Sequence, residues 1–268
     1  MKKKGKRKAV EVGKNAYIGF VYLFLYLPII VLIIFSFNTS KMNIVFEGFT
    51  TKWYGSLFSN RSLMEALGNT LIIALVSTLI SGVIGTLAAV GLERFKFKGK
   101  NIIDKLLYIP VVIPEIVLGI ALLSVFSLMN IQLGLFTIIL AHVTFQTPFV
   151  IITVRARLSG FDMSIEEAAM DLGANRFQTF MKITLPLIAP GVLSGVLLAF
   201  TLSLDDVIIS FFTAGPGSNT LPLKIFAMVK TGVTPEVNAL STIIIMVTII
   251  GVTLVGISLV RKQKRNKI

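Results

Sequence analysis

"IEEAAMDLGANRFQTFMKITLP", residues 165–186, is a polar, glycine-containing segment set between two long apolar runs. The runs on either side, 135–154 and 186–204, come close to the ~20 residues that a helix needs to cross hydrocarbon. Four further runs of this kind lie at 17–37, 69–92, 106–128 and 239–260. In lipid each backbone N–H and C=O must be satisfied within its own segment, which selects helices. The short alternating strands of a membrane β-barrel are absent from the pattern. A chain that is 54% hydrophobic is too apolar for an ordinary soluble domain. The expectation is an all-α integral membrane protein with six transmembrane helices.

The formal charge of +13 raises the question of nucleic acid, and the placement of the charge answers it. With both termini cytoplasmic, 21 of the 26 Lys and Arg fall on cytoplasmic segments. This is the bias expected from the positive-inside rule, so basicity reports topology and no nucleic-acid partner is expected. The first apolar run is too long for a signal peptide and lacks a small-residue cleavage site, so it reads as a retained anchor. The expected organisation is a basic cytoplasmic terminus at 1–16, a first span at 17–37 and an extracytoplasmic loop at 38–68. A core of spans two to six follows at 69–260, with a basic cytoplasmic tail at 261–268. The lysine-rich start is expected to be disordered and held near anionic lipid. In the loop, Trp53 and Tyr54 suit the headgroup level, on a surface helix or a plain loop.

Ser164 can cap a helix, with Glu167 completing a capping box, and the Glu166 and Glu167 carboxylates favour its positive end. Ala168 and Ala169 give it a small-residue face. Gly173 permits a bend or a left-handed cap. Phe177, Phe180 and Met181 then form an apolar stripe on a second helix, and Pro186 opens the next span near its first turn. From the residues alone, two roles stand open: a surface helix pair linking two spans, or a docking element for a cytoplasmic partner.

The spacing Glu167-Ala168-Ala169, three residues, Gly173, nine residues, Ile183-Thr184-Leu185-Pro186 resembles the EAA motif of binding-protein-dependent ABC importer permeases. The segments 46–58, 68–89, 108–123 and 203–243 resemble the second membrane subunit of spermidine/putrescine importers, most specifically in "SLDD", "GPG", "LPLKI" and "PEVNA". The resemblance implies the ABC type-1 permease fold, with 164–182 as a cytoplasmic coupling helix received by an ATPase subunit. Glu167, Ala168, Ala169, Gly173, Ile183, Leu185 and Pro186 would be the coupling positions. It further implies a homologous second permease, two ATPase subunits, an extracytoplasmic substrate-binding protein and a bacterial plasma-membrane location. The expected cargo is a polyamine. The alternatives are another small solute or an ion-coupled secondary transporter.

The chain has no P-loop, so ATP and magnesium are expected on the partner ATPase and no cofactor here. No catalytic residues are expected. With no cysteine and one histidine, no metal site is expected either. Substrate-path candidates are Glu115, Asp205, Asp206, Tyr108, His142 and Gln146. Glu115 falls ~14 Å along the third run, near the midplane of a ~30 Å core, after Pro110 and Pro114. It faces the path or is buried at a subunit interface. Of Asp205 and Asp206, one is expected to cap the helix starting at "VIISFF" and the other to meet a cation. His142 and Gln146, i and i+4, share a face for helix–helix hydrogen bonds or substrate contact. Tyr108, Phe126 and Phe145 could offer rings to ammonium groups.

Overall fold

The computed structural model describes residues 2–41, 45–160, 162, 164–228, 232 and 234–265. They fall into two compact units, Met1–Arg61 with Ala227–Ile268, and Ser62–Phe226.

In the first unit, α1 (Lys2–Phe35) and α2 (Lys52–Ser59) flank a short loop. The basic start, expected to be disordered, continues α1 as helix. Its apolar stretch Gly13–Phe35 has no buried residue, as suits a helix whose main solvent is lipid. Asn38 organises the loop that follows: its Nδ2 donates to Val45 O at 2.7 Å and its Oδ1 accepts from Glu47 N–H at 2.9 Å. Its carbonyl accepts from Trp53 Nε1–H at 2.6 Å. Trp53 is therefore buried in the unit, and its one polar atom has a partner inside the chain. Tyr54 keeps its hydroxyl on Ser36 Oγ, 2.7 Å away.

The second unit carries α3 (Arg61–Arg94), α4 (Lys100–Leu107), α5 (Ile109–Val112), α6 (Glu115–Leu128) and α7 (Leu135–Leu158). It continues with α8 (Ser164–Asp171), α9 (Arg176–Thr179), a π-helical turn (Phe180–Thr184), α10 (Leu185–Leu204), α11 (Ile208–Thr213) and α12 (Leu221–Met228). The remaining helix, α13 (Pro235–Arg265), belongs to the first unit, where it packs on α1 and α2. The chain is thus helical nearly throughout its described residues.

Val150 of α7 marks the centre of the second unit. A Cβ added at Gly85 of α3 would lie 2.7 Å from its side chain, and one at Gly195 of α10 would lie 3.3 Å from its Cα. In lipid, helices associate by van der Waals packing, and small residues let their backbones approach. Ala74, Ser77, Ser81, Gly85 and Ala89, spaced three or four apart, are accordingly the buried face of α3. Ile151, Val154, Ile188 and Ala199 complete this core.

Among the described residues, four helices are long and apolar enough to cross a membrane: Gly13–Phe35, Arg61–Arg94, Leu135–Leu158 and Arg176–Leu204. The expected third span, 106–128, is not a straight helix. Lys100–Val112 and Glu115–Leu128 meet at 110°, and counting them as one broken span brings the number to five. The cause is Pro114: the residue before a proline is pushed out of the helical region, and Ile113 is extended at φ −66, ψ 136. Within α13 the apolar stretch is Pro235–Ile250. The expected sixth span, 239–260, runs on into side chains outside the described residues, so a count of six does not follow from them.

Candidate functional site

The glycine of the quoted segment ends α8 in a left-handed turn. Gly173 has φ +93, its N–H bonds Met170 O at 2.9 Å, and Ala174 N–H bonds Ala169 O at 3.0 Å. This is the paired closure of a Schellman turn, in which the left-handed residue is usually glycine. The start of α8 differs from expectation. Ser164 is already helical, and its N–H goes to Asp162 Oδ1 at 3.0 Å. That hydrogen bond holds the exposed Asp162 carboxyl below the usual carboxylate value. The capping box lies further on, where Asn175 Oδ1 accepts from Gln178 N–H and Gln178 Oε1 from Asn175 N–H.

The two adjacent carboxylates point differently. Glu167 and Ala168 are exposed, as is Leu172 at 90%, while Ala169 is half-buried. Glu166 is 9% exposed. Its Oε1 accepts from Arg94 Nη2 at 2.5 Å and from Thr184 Oγ1 at 2.5 Å. The apolar stripe also divides: Phe177 is exposed, while Phe180 and Met181 line a groove of about 390 Å³ with Thr78, Gly82, Leu185 and Val196. Ile183 and Leu185 are half-buried. Pro186, the second residue of α10, has no N–H for the carbonyl four residues back. The ladder slips just ahead of it, with Leu185 N–H bonding Phe180 O.

Of the path candidates, His142, Gln146 and Asp206 are buried. His142 Nδ1 lies 2.7 Å from Ser203 Oγ, and its Nε2 lies 3.2 Å from Ser210 Oγ and 3.2 Å from Asp206 Oδ2. Gln146 Oε1 accepts from Ser81 Oγ at 3.4 Å. These groups tie α3, α7, α10 and α11 together, the helix–helix role. Asp206 also accepts from Ile209 N–H at 3.1 Å and Ser210 N–H at 2.8 Å, so it is the capping aspartate. Asp205 is exposed. Phe126 and Phe145 are core residues beside Ala141 and Ile209, and Phe145 meets His142 edge-on. Their rings are buried in this core.

Glu115 is not at mid-helix. It is the first residue of α6, exposed just past the Pro114 break, where the helix macrodipole favours a carboxylate. The ~14 Å along a straight helix from Leu106 therefore does not describe its position, since the helix is broken just before it. Tyr108, between α4 and α5, is exposed as well. No hydrogen bond or ion pair joins Tyr108, Glu115 and Asp205 among the described residues.

The family of binding-protein-dependent transport system inner membrane components matches residues 81–267. The chain belongs to this family of ABC importer permeases. Among its relatives, the spermidine/putrescine transport system permease protein PotC of Escherichia coli K12 is 46% identical over 237 residues, covering 88% of this chain and 90% of that one. PotC of Haemophilus influenzae is 44% identical over 236 residues, covering 88% and 92%. The putrescine transport system permease protein PotI of Escherichia coli K12 is 46% identical over 231 residues, covering 84% and 82%. A solved bacterial ABC transporter that imports the acidic polysaccharide alginate is 17% identical, with a TM-score of 0.74 over 93% of this chain and 96% of that one. The permease therefore has the type-1 fold of ABC importers and is a multi-pass, non-enzymatic membrane subunit.

Sequence reasoning passed over Arg94, Thr184, Ser203 and Ser210 in this permease. For Arg94 the available signal was a cation ending a span on the side assigned to the coupling segment. The serines carry no signal in isolation, since most hydroxyls in membrane helices bond their own backbone, as Thr144 does to Leu140 O.

Proposed function

We propose that this permease is a membrane subunit of an ATP-driven polyamine importer for spermidine and putrescine. It forms half of the translocation pathway, and a homologous second permease forms the other half. Two ATPase subunits dock on the cytoplasmic segment 164–182, and an extracytoplasmic binding protein delivers the cargo. The setting is the bacterial plasma membrane, with both termini cytoplasmic. The observation that carries the reading is the outward display of Glu167, Ala168 and Leu172 on a helix locked by the Gly173 turn. Leu172 and Phe177, 90% and 71% exposed on the same polar segment, are apolar surface that a partner can cover. The relatives named for polyamines, at 44–46% identity, support the cargo.

In this reading ATP and magnesium bind the partner ATPase, whose closure moves the docked segment and favours an outward-facing pathway, while hydrolysis and release reset it to inward-facing. Exposed carboxylates at Glu115 and Asp205 supply the negative charge that a polycation seeks. The test is uptake of labelled spermidine and of labelled putrescine into vesicles holding the whole complex. Uptake is expected only with both ATP and the binding protein present. Uptake that proceeds without ATP, driven by an ion gradient, would replace this reading with a secondary transporter. ATP-dependent uptake of neither polyamine would move the assignment to another solute.

A further inference from the structure

Helix α8 packs on α9 and the π-helical turn, the elements next to it in the chain. Glu166 carries it further. This largely buried carboxylate accepts from Arg94 at the end of α3 and from Thr184 at the start of α10. The neighbour of Arg94 extends the connection. Glu93 Oε2 lies 3.4 Å from Arg155 Nε near the end of α7, and Arg155 Nη1 lies 2.8 Å from Asp104 Oδ1 in α4. One side chain of α8 thus reaches the ends of two membrane helices directly, and two more helices through adjacent residues.

We infer that Glu166, held by Arg94 and Thr184, is the positioning residue through which displacement of the docked segment is passed to α3 and α10. Glu167 one residue on is exposed. Two properties suit Glu166 to the task. A buried charge left without its partner is strongly disfavoured, so the link holds while the segment moves. Beside it lies a cavity of about 520 Å³, lined by Gly91, Arg94, Glu166, Arg176, Thr179 and Phe180. That space lets the joined ends shift without collision, since close-packed interiors otherwise resist displacement.

This inference rests on the docking reading above, and the test separates the two. The complete transporter is purified and reconstituted as wild type, Glu166→Gln, Thr184→Val and the exchanged pair Arg94→Glu with Glu166→Arg. Captured ATPase, ATP hydrolysis and labelled spermidine uptake are measured on each. Glu166→Gln is expected to capture ATPase as the wild type does and to keep hydrolysing ATP. Its uptake per ATP should fall about tenfold, the order expected when a charge-assisted hydrogen bond becomes a neutral one. The exchanged pair should recover much of that ratio, a rescue that loss of packing alone would not give. Where Glu166→Gln fails to assemble, Thr184→Val carries the test, because it removes one hydrogen bond and keeps the ion pair; its ratio must fall too. Wild-type uptake per ATP in the variant that assembles would overturn the inference, as would an exchanged pair no better than the single change. A wild-type complex that captures no ATPase would overturn the docking reading and this inference with it.

Discussion

His142 Nε2 lies 3.2 Å from Asp206 Oδ2, on α7 and just ahead of α11. The same carboxylate takes the N–H groups of Ile209 and Ser210. This relationship separates the two adjacent aspartates. Asp206→Ala should cost about 3 kcal/mol or more, because a buried imidazole and two helix N–H groups lose their acceptor. Asp205→Asn, at an exposed position, should stay within about 0.5 kcal/mol of the parent and slow polyamine uptake instead. Thermal unfolding in detergent beside uptake assays checks both. Equal stability losses at the two positions would refute the division.

Gly85 should not tolerate even alanine. The added Cβ would meet Val150 at 2.7 Å, and overpacking of a close-packed core costs about 1–3 kcal/mol. Val150→Ala in the same chain should return part of that loss, since contacting sites couple. A double-mutant cycle on melting temperature gives the answer, and strict additivity would exclude the contact.

At Gly173 the difficulty is backbone and not space. Nothing lies within 4 Å of an added Cβ, but φ +93 is a conformation that L side chains rarely adopt. Gly173→Ala should therefore cost about 1 kcal/mol and speed hydrogen exchange at Ala174, whose N–H closes the turn. Unchanged exchange there would contradict the closure described.

Leu172, 90% exposed, contributes little burial to the permease itself. Leu172→Asp should leave the melting temperature near that of the parent and abolish co-purification of an ATPase. A variant that keeps its ATPase at parental stoichiometry would remove Leu172 from the docking surface.

Asp162 gives α8 a pH dependence of known sign. Its folded pKa is lowered by the Ser164 N–H, so the charged form is the one that stabilises the helix start. That contribution is present at neutral pH and lost as pH falls through the lowered value, below the ordinary carboxylate range. Exchange at the Ser164 amide should accelerate there beyond its intrinsic pH trend. Asp162→Asn keeps an acceptor without a titrating group and should remove the extra acceleration; its persistence would place the cause elsewhere.

Several features were legible because they depend on chain-local chemistry. Gly173 could be read as a left-handed cap, since the requirement for positive φ belongs to the residue type. The break before Glu115 was foreshadowed by Pro110 and Pro114, although the 110° bend was not, and with it went the straight helix in which Glu115 lay mid-span. The burial of Trp53 was not legible, because an indole suits an exposed surface or a packed loop and Asn38 O comes beside its N–H only on folding.

The sequence by itself determined that this is a helical membrane chain with a polar motif between two spans. Hydrocarbon leaves the backbone few alternatives, and the motif is a matter of spacing along the chain. Only the tertiary structure decided that Glu166 turns inward while Glu167 turns out, and that Asp206 caps while Asp205 stays exposed. Each of these pairs consists of identical neighbours in sequence. What separates them is the direction of one side chain toward groups many residues away, Arg94 and Thr184 for the one and His142 for the other.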